Sequence, residues 1–510
     1  MKKYLSIAAL ALSAALLATT ARAASDLYFG LSNEPANMAP EINVGTQARM
    51  VRFAIHRGLM NYDVTGKLAA ELASDYEISP DGKQYTFRLR DAKFHDGSPV
   101  TSEDVKATFE KIIGPNSKAT YKGELSIIDR IETPDAKTVR FVLKSTYSPF
   151  IHYLALPESV IVPNKWLEAY ATNPNVPPVG AGPFKFVNWS RGQEIVVEKF
   201  ADYYKKGKPT LDSIHFSFLS DDNTRVNALR SNDVDMIEFA PWKDMDTIRA
   251  DPNLGLATTT GPFMVLQFNT RFEPFSKPEV RQALAYGIDR NVIIKTAFNG
   301  QGTPLFGMPI PKGYPGYTPE FEHFFSYDVA KAKDLLAKAG YPNGFKARLL
   351  STAQFAFHSN TAVAVKGELA KLGIEVELEL PDWAGRNAKA TEGNYDLIVS
   401  GTSGDITDPD WLSNFFYGGN QLVRLNNSPY FNDPQINALL DKGKTTVDAG
   451  AREQIYKDFS KRALELSPFV YLMWRDQSYG VNKKVKGFTN MPGFLSFHSG
   501  LSLENVSIAE

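Results

Sequence analysis

The sequence predicts a mixed α/β fold, a partly parallel sheet covered by helices, and three observations carry that expectation. Runs with a two-residue alternation, such as Tyr85-Thr86-Phe87-Arg88-Leu89, are interspersed with apolar positions at helical spacing. The chain has 510 residues, 43% hydrophobic and 22% charged, an ordinary globular balance at a length that divides its core between two or three domains. A Pro/Gly-rich passage, Pro177-Pro178-Val179-Gly180-Ala181-Gly182-Pro183, interrupts the pattern where a crossing between domains would fall.

Taken in order, Asp81-Gly82 is a turn signal ahead of the strand Tyr85–Leu89, and Asp96-Gly97-Ser98-Pro99 is a second turn. Thr101 stands where a helix N-cap belongs, with Asp104 three residues on and Val105, Phe109 and Ile112 at helical spacing. Thr138–Leu143 and Ile195–Val197 read as further strands. Pro278 suits a first helical position and opens one segment running to Phe298. Asp328–Ala339 is an amphipathic helix closed by Gly340, and Thr361–Leu372 another helix. Ile374–Leu380 and Tyr395–Ser400 are expected to be strands.

At the amino terminus, Lys2 and Lys3 precede an apolar run from Leu5 to Ala18, and Ala21-Arg22-Ala23 has the small-x-small form of a cleavage site. The run is too short to span a bilayer, so residues 1–23 are expected to be a processed signal peptide and the protein to work in the periplasm. There is no cysteine, hence no disulfide and no lipidated cysteine anchor, and the mature chain is expected to be soluble, in a Gram-negative setting. A formal charge of -1 without a basic block argues against nucleic acid. No Gly-x-Ser-x-Gly elbow, His-Glu-x-x-His helix or phosphate-binding Gly-rich loop is present, and the seven histidines are widely spaced. Neither enzymatic activity nor a metal or cofactor is expected.

Longer motifs carry a family resemblance. They are Leu72-Ala73-Ser74-Asp75-Tyr76-Glu77, Lys93-Phe94-His95-Asp96-Gly97-Ser98-Pro99-Val100-Thr101, Gly180-Ala181-Gly182-Pro183-Phe184-Lys185-Phe186 and Val280-Arg281-Gln282-Ala283-Leu284-Ala285-Tyr286-Gly287-Ile288-Asp289-Arg290. With these the whole mature chain resembles the periplasmic solute-binding proteins of peptide-type ABC importers, the dipeptide and oligopeptide group, extracellular solute-binding family 5. The resemblance implies a two-lobed periplasmic-binding-protein (flytrap) fold of type II with an extra subdomain inserted in lobe I. Mapped here, lobe I comprises 24–65, 180–265 and 480–510, the inserted subdomain 66–179, and lobe II 266–479. It further implies a monomer that captures di- to oligopeptides between its lobes and delivers them to an inner-membrane permease served by a separate ATPase. An opine, sugar conjugate or metal complex as cargo remains an alternative, as does a sensor or peptide-chaperone role. Within the Lys93–Gly97 motif, His95 and Asp96 read better as turn scaffold than as a catalytic pair.

The richest polar turn is Ser400–Trp411, after the strand Tyr395–Ser400, where open α/β sheets place ligands. By resemblance, Asp405 matches the aspartate that pairs with a peptide's α-amino group, and Trp383 matches a pocket tryptophan. Gly401 and Gly404 would offer backbone groups to an extended ligand, with Thr402 and Ser403 between them and Trp411 and Tyr417 as further candidates. The plainer reading is that Asp405, Asp408 and Asp410 cap turns or bind a structural cation, and that Trp383 is core. A dipeptide site also needs a cation for the ligand carboxylate, yet no arginine or lysine occurs between Arg348 and Lys366. His358, if protonated, Arg386 and Arg424 are the candidates for that role.

Overall fold

The computed structural model describes residues 25–419, 423 and 426–509; the expected signal peptide and Arg424 lie outside them. Among the described residues, eleven strands form the main sheet. Numbered along the chain, they are β1 (Asp26–Leu31), β2 (Phe184–Ser190), β3 (Glu194–Lys199), β4 (Ser213–Phe218), β5 (Met236–Ile237), β6 (Leu254–Phe268), β7 (Gly302–Pro304), β8 (Lys346–Leu350), β9 (Glu375–Glu379), β10 (Leu397–Thr402) and β11 (Phe469–Asn482). Their spatial order is β9-β8-β10-β6-β11-β5-β1-β4-β3-β2, with β7 on β11. Pairing is parallel within β4-β1-β5 and within β9-β8-β10. The mixed, partly parallel sheet is therefore present, in two parallel sets joined by β6 and β11.

Those two strands serve both lobes. Leu254–Thr260 of β6 pairs with Asp476–Asn482 of β11, the register shifts at Gly261-Pro262, and Phe263–Gln267 then pairs with Trp474–Phe469. Separate buried clusters lie on either side of the break, one built on Phe29, Ile195 and Phe216, the other on Leu284, Leu349 and Val399. A second, antiparallel sheet of Ala73–Ile78, Gln84–Leu89, Thr138–Leu143 and Ile128–Asp135 forms the extra subdomain.

Local chemistry explains most of the elements. Helix α1 (Thr46–Ile55) ends against the Gly180–Pro183 passage, where a Cβ at Gly180 would stand 2.3 Å from the Ile55 carbonyl oxygen. The His95 backbone donates to the Gly180 carbonyl at 2.9 Å, and Asp96 Oδ1 accepts from Ser98 N at 2.9 Å, so this motif is scaffold. Helix α2 (Ser102–Ile113) starts as expected, Asp104 accepting from Thr101 N at 3.0 Å and burying Val105, Phe109 and Ile112 beneath it.

Three elements differ from expectation. Pro278–Phe298 is two helices, Pro278–Gly287 and Arg290–Ala297, because Asp289 caps the second by accepting from Asn291 N at 2.9 Å. Helix α3 (Ala356–Ala370) begins five residues earlier than its periodicity indicated. The strand expected at Tyr395–Ser400 is β10, which extends to Thr402, so Gly401 and Thr402 are strand end rather than loop.

Candidate functional site

The two parallel sets end toward each other. Strand β10 is antiparallel to β6 with Thr402 opposite Phe263, which sets its carboxyl end at the register break. Strand β5 is antiparallel to β11 through Ile237 and Gly480, turning its own carboxyl end, and those of β1 and β4, toward the same break. Ligands of open α/β sheets lie beyond such ends, and here that space is the cleft between the lobes. On the lobe I side stands buried Glu238, its Oε1 accepting from Ser32 N at 2.7 Å and Gln47 Nε2 at 2.6 Å.

The lobe II wall is built by helices that start directly after β8 and β9. Helix α4 (Trp383–Glu392) is capped by Asp382, which accepts from Gly385 N at 2.7 Å and so fixes Trp383 on the first turn. The half-buried indole stands edge-on to Phe355 at 5.3 Å and to His358 at 5.6 Å, and the Arg386 guanidinium lies 4.8 Å from its ring. Gly401 closes the group: a Cβ there would meet Phe357 at 3.3 Å and His358 at 3.6 Å, so glycine lets these rings lie against the strand end. Trp383, His358 and Gly401 are therefore neighbours, with half-buried Thr402 and Ser403 following.

Asp405 lies across the cleft mouth, its Oδ1 3.8 Å from Arg49 Nη2 on α1. Arg49 is itself held by Glu158 at 3.0 Å and by the Tyr121 hydroxyl at 3.2 Å. Confinement raises the Asp405 carboxyl above the usual carboxylate range, Arg49 opposes that shift and Glu158 adds to it.

The other candidates separate from this group. Gly404 is pressed against Phe494, which a Cβ would approach to 2.6 Å, and Trp411 is a core residue packed on Phe263, Phe415 and Phe494. Tyr417 faces helix α5 (Pro434–Thr445), its hydroxyl donating to Asp441 Oδ2 at 3.3 Å. The plainer reading holds for Asp408, which caps by accepting from Asp410 N and pairs with Arg452 at 2.7 and 2.9 Å.

For a ligand's carboxylate, His358 is not the cation. Burial, then Arg386 and Arg475 beside it, push its imidazole down to about 3, so it is neutral at pH 7. The neighbouring charges are the arginines. Arg386 is 2% exposed and donates to the Val399 carbonyl at 3.2 Å and Ser400 Oγ at 2.7 Å. Arg475, on β11 at the break, was not singled out from sequence; the signal available was a charge interrupting the apolar run Phe469–Trp474.

Residues 67–422 match the family described as bacterial extracellular solute-binding proteins, family 5 Middle. The chain belongs to this family. It is 30% identical to the glutathione-binding protein GsiB of Pectobacterium atrosepticum, over 99% of this chain and 98% of that one. A solved structure of AgaA from A. tumefaciens R10, in complex with agropinic acid, is 61% identical with a TM-score of 0.84, covering 95% of this chain and 99% of that chain. The binding protein DppA of Helicobacter pylori, solved with the peptide STSA, is 26% identical with a TM-score of 0.80, covering 95% and 98%. These likenesses agree with the two lobes and the added sheet subdomain. The protein is the periplasmic binding component of an ABC importer; it captures a small solute for delivery to a membrane permease and is not an enzyme.

Proposed function

We propose that the captured solute is an opine-type organic acid of the agropinic acid kind, rather than a peptide with a free amino terminus. The observation that carries this reading is at Asp405. The carboxylate that a peptide's α-amino group would need already faces Arg49 at 3.8 Å, so an incoming ammonium would share it with a resident guanidinium. The 61% identity to AgaA, whose structure holds agropinic acid, supports the same reading, whereas GsiB and DppA are 30% and 26% identical.

Isothermal titration of the mature protein with agropinic acid, glutathione and the dipeptide Met-Leu tests it. Agropinic acid is expected to bind at least about 100-fold more tightly than either peptide, a gap of roughly 2.8 kcal/mol. Tight binding of glutathione or Met-Leu without binding of agropinic acid would overturn the proposal.

A further inference from the structure

Eight arginines are buried among the described residues, and seven of them have their hydrogen bonds in view. Arg49 and Arg52 share Glu158, and Arg57 holds Glu504. Arg225, Arg281 and Arg290 donate to backbone carbonyls, as does Arg386. Arg475 is the exception. It is 9% exposed, and among the described residues no carboxylate, carbonyl or hydroxyl receives its Nε or either Nη. The other buried arginines whose Nε makes no hydrogen bond (Arg52, Arg57 and Arg386) donate through their Nη groups. Its neighbour is a ring face, Phe357, with the guanidinium carbon 5.3 Å from the centroid.

Withdrawing a guanidinium from water without giving it a partner opposes folding, so such a group invites an anion. The place where this one stands is specific. Arg475 sits on β11 at the register break, opposite Gly302 of β7, so it lies where the strand passes from lobe II to lobe I. The next residue, Asp476, gives its carbonyl to Trp242 Nε1 at 2.8 Å, and the Trp242 ring stands 5.6 Å from Phe357. One side of the space is therefore lobe I and the other the first turn of α3. On that turn His358 is 2% exposed with Nδ1 unpartnered, and beyond it the Nε of Arg386 is unpartnered as well. The first turn of α3 carries no acidic residue, so nothing on it offsets the positive end of the helix dipole.

We propose that Arg475 is the anchor for the carboxylate of the bound solute, at the floor of the cleft between Phe357, His358 and Trp242. This rests on the reading that the solute is an acid, and deepens it by naming the residue that selects for one. It also supplies the cation missing from the stretch between Arg348 and Lys366. An anion at Arg475 touches the strand at its passage between the lobes, which ties charge recognition to their closure.

The test is Arg475→Gln and Arg475→Lys in the mature protein, read by calorimetric melting without ligand and by titration with agropinic acid, glutathione and Met-Leu. Arg475→Gln is expected to lower affinity for whichever carboxylate binds wild type by at least about 30-fold, with Arg475→Lys recovering part of the loss. The ligand-free Gln variant is expected to melt at or above wild type, because no group of the described residues loses a hydrogen bond or ion pair when the guanidinium is removed. A structural arginine behaves oppositely, so a fall in the ligand-free melting temperature of more than about 3 °C overturns the proposal. Unchanged affinity in Arg475→Gln overturns it too. If wild type ignores agropinic acid but binds glutathione or Met-Leu, the opine reading fails while Arg475 is still judged on the peptide carboxylate. If none of the three binds, the melting comparison decides.

Discussion

Glu504 shows what a buried charge does when its partners are present. Burial alone would raise its carboxyl, but Arg57 and Lys205, with a hydrogen bond from Tyr203, pull it down to about 2. The contacts are 2.9 Å to Arg57 Nη2, 2.6 Å to the Tyr203 hydroxyl and 2.9 Å to Lys205 Nζ, and Arg57 and Lys205 also reach Glu71. The folded value lies below the unfolded one of about 4.3, so this stabilisation is complete above that pH and is lost as pH falls toward about 2. Glu504→Gln should therefore cost about 3–5 kcal/mol near neutrality and flatten the acid limb of the stability curve between about pH 4 and 2. Urea unfolding of both proteins across that range measures it; parallel acid limbs would reject the assignment.

Among the elements, those with local signals were legible in the sequence. The Thr101–Asp104 box, the Thr138–Leu143 strand and the Gly340 stop depend on neighbours a few residues away. The break at Ile288 was hidden because the apolar period continues through it, and α3 begins without a capping side chain to mark its start. Gly401 was within reach of local signals because it closes the strand Leu397–Thr402, whereas Trp383 and His358 were reached only through the family resemblance. The surroundings of Arg475 could not be found, since they arise from Trp242, β7, the first turn of α3 and β11, which are far apart in sequence. The same crossing explains Gly261. A Cβ there would lie 2.1 Å from the Gly493 carbonyl oxygen, backbone against backbone. Gly261→Ala should therefore destabilise by about 1–3 kcal/mol through forced separation of β6 from the carboxyl-terminal segment. Chemical denaturation reads this directly, and wild-type stability would show that the approach is not required.

At the scale of the whole molecule, β6 and β11 join the lobes through the sheet, but the inserted subdomain also reaches lobe II around the outside. The Tyr147 hydroxyl donates to buried Asp410 at 2.9 Å, Ser148 N to the Lys444 carbonyl at 2.8 Å, and Ser148 Oγ to the Thr446 carbonyl at 2.6 Å. Arg49–Asp405 is a further bridge at the cleft mouth. Swinging the lobes apart about the crossing breaks these contacts together, so they stabilise the closed arrangement, and a solute that prefers the closed form shifts the population toward it. Two results are expected. The radius of gyration in solution should fall when the wild-type protein is saturated with the acid that binds it. Tyr147→Phe removes one charged hydrogen bond from the closed form, worth about 1.5–3 kcal/mol, and should weaken binding by roughly 10- to 150-fold through faster release, although Tyr147 touches no ligand-facing residue named above. X-ray scattering with and without ligand, and stopped-flow release from both proteins, test this pair. An unchanged radius with ligand demonstrably bound would refute closure, and wild-type release from Tyr147→Phe would place the fastening of the lobes elsewhere.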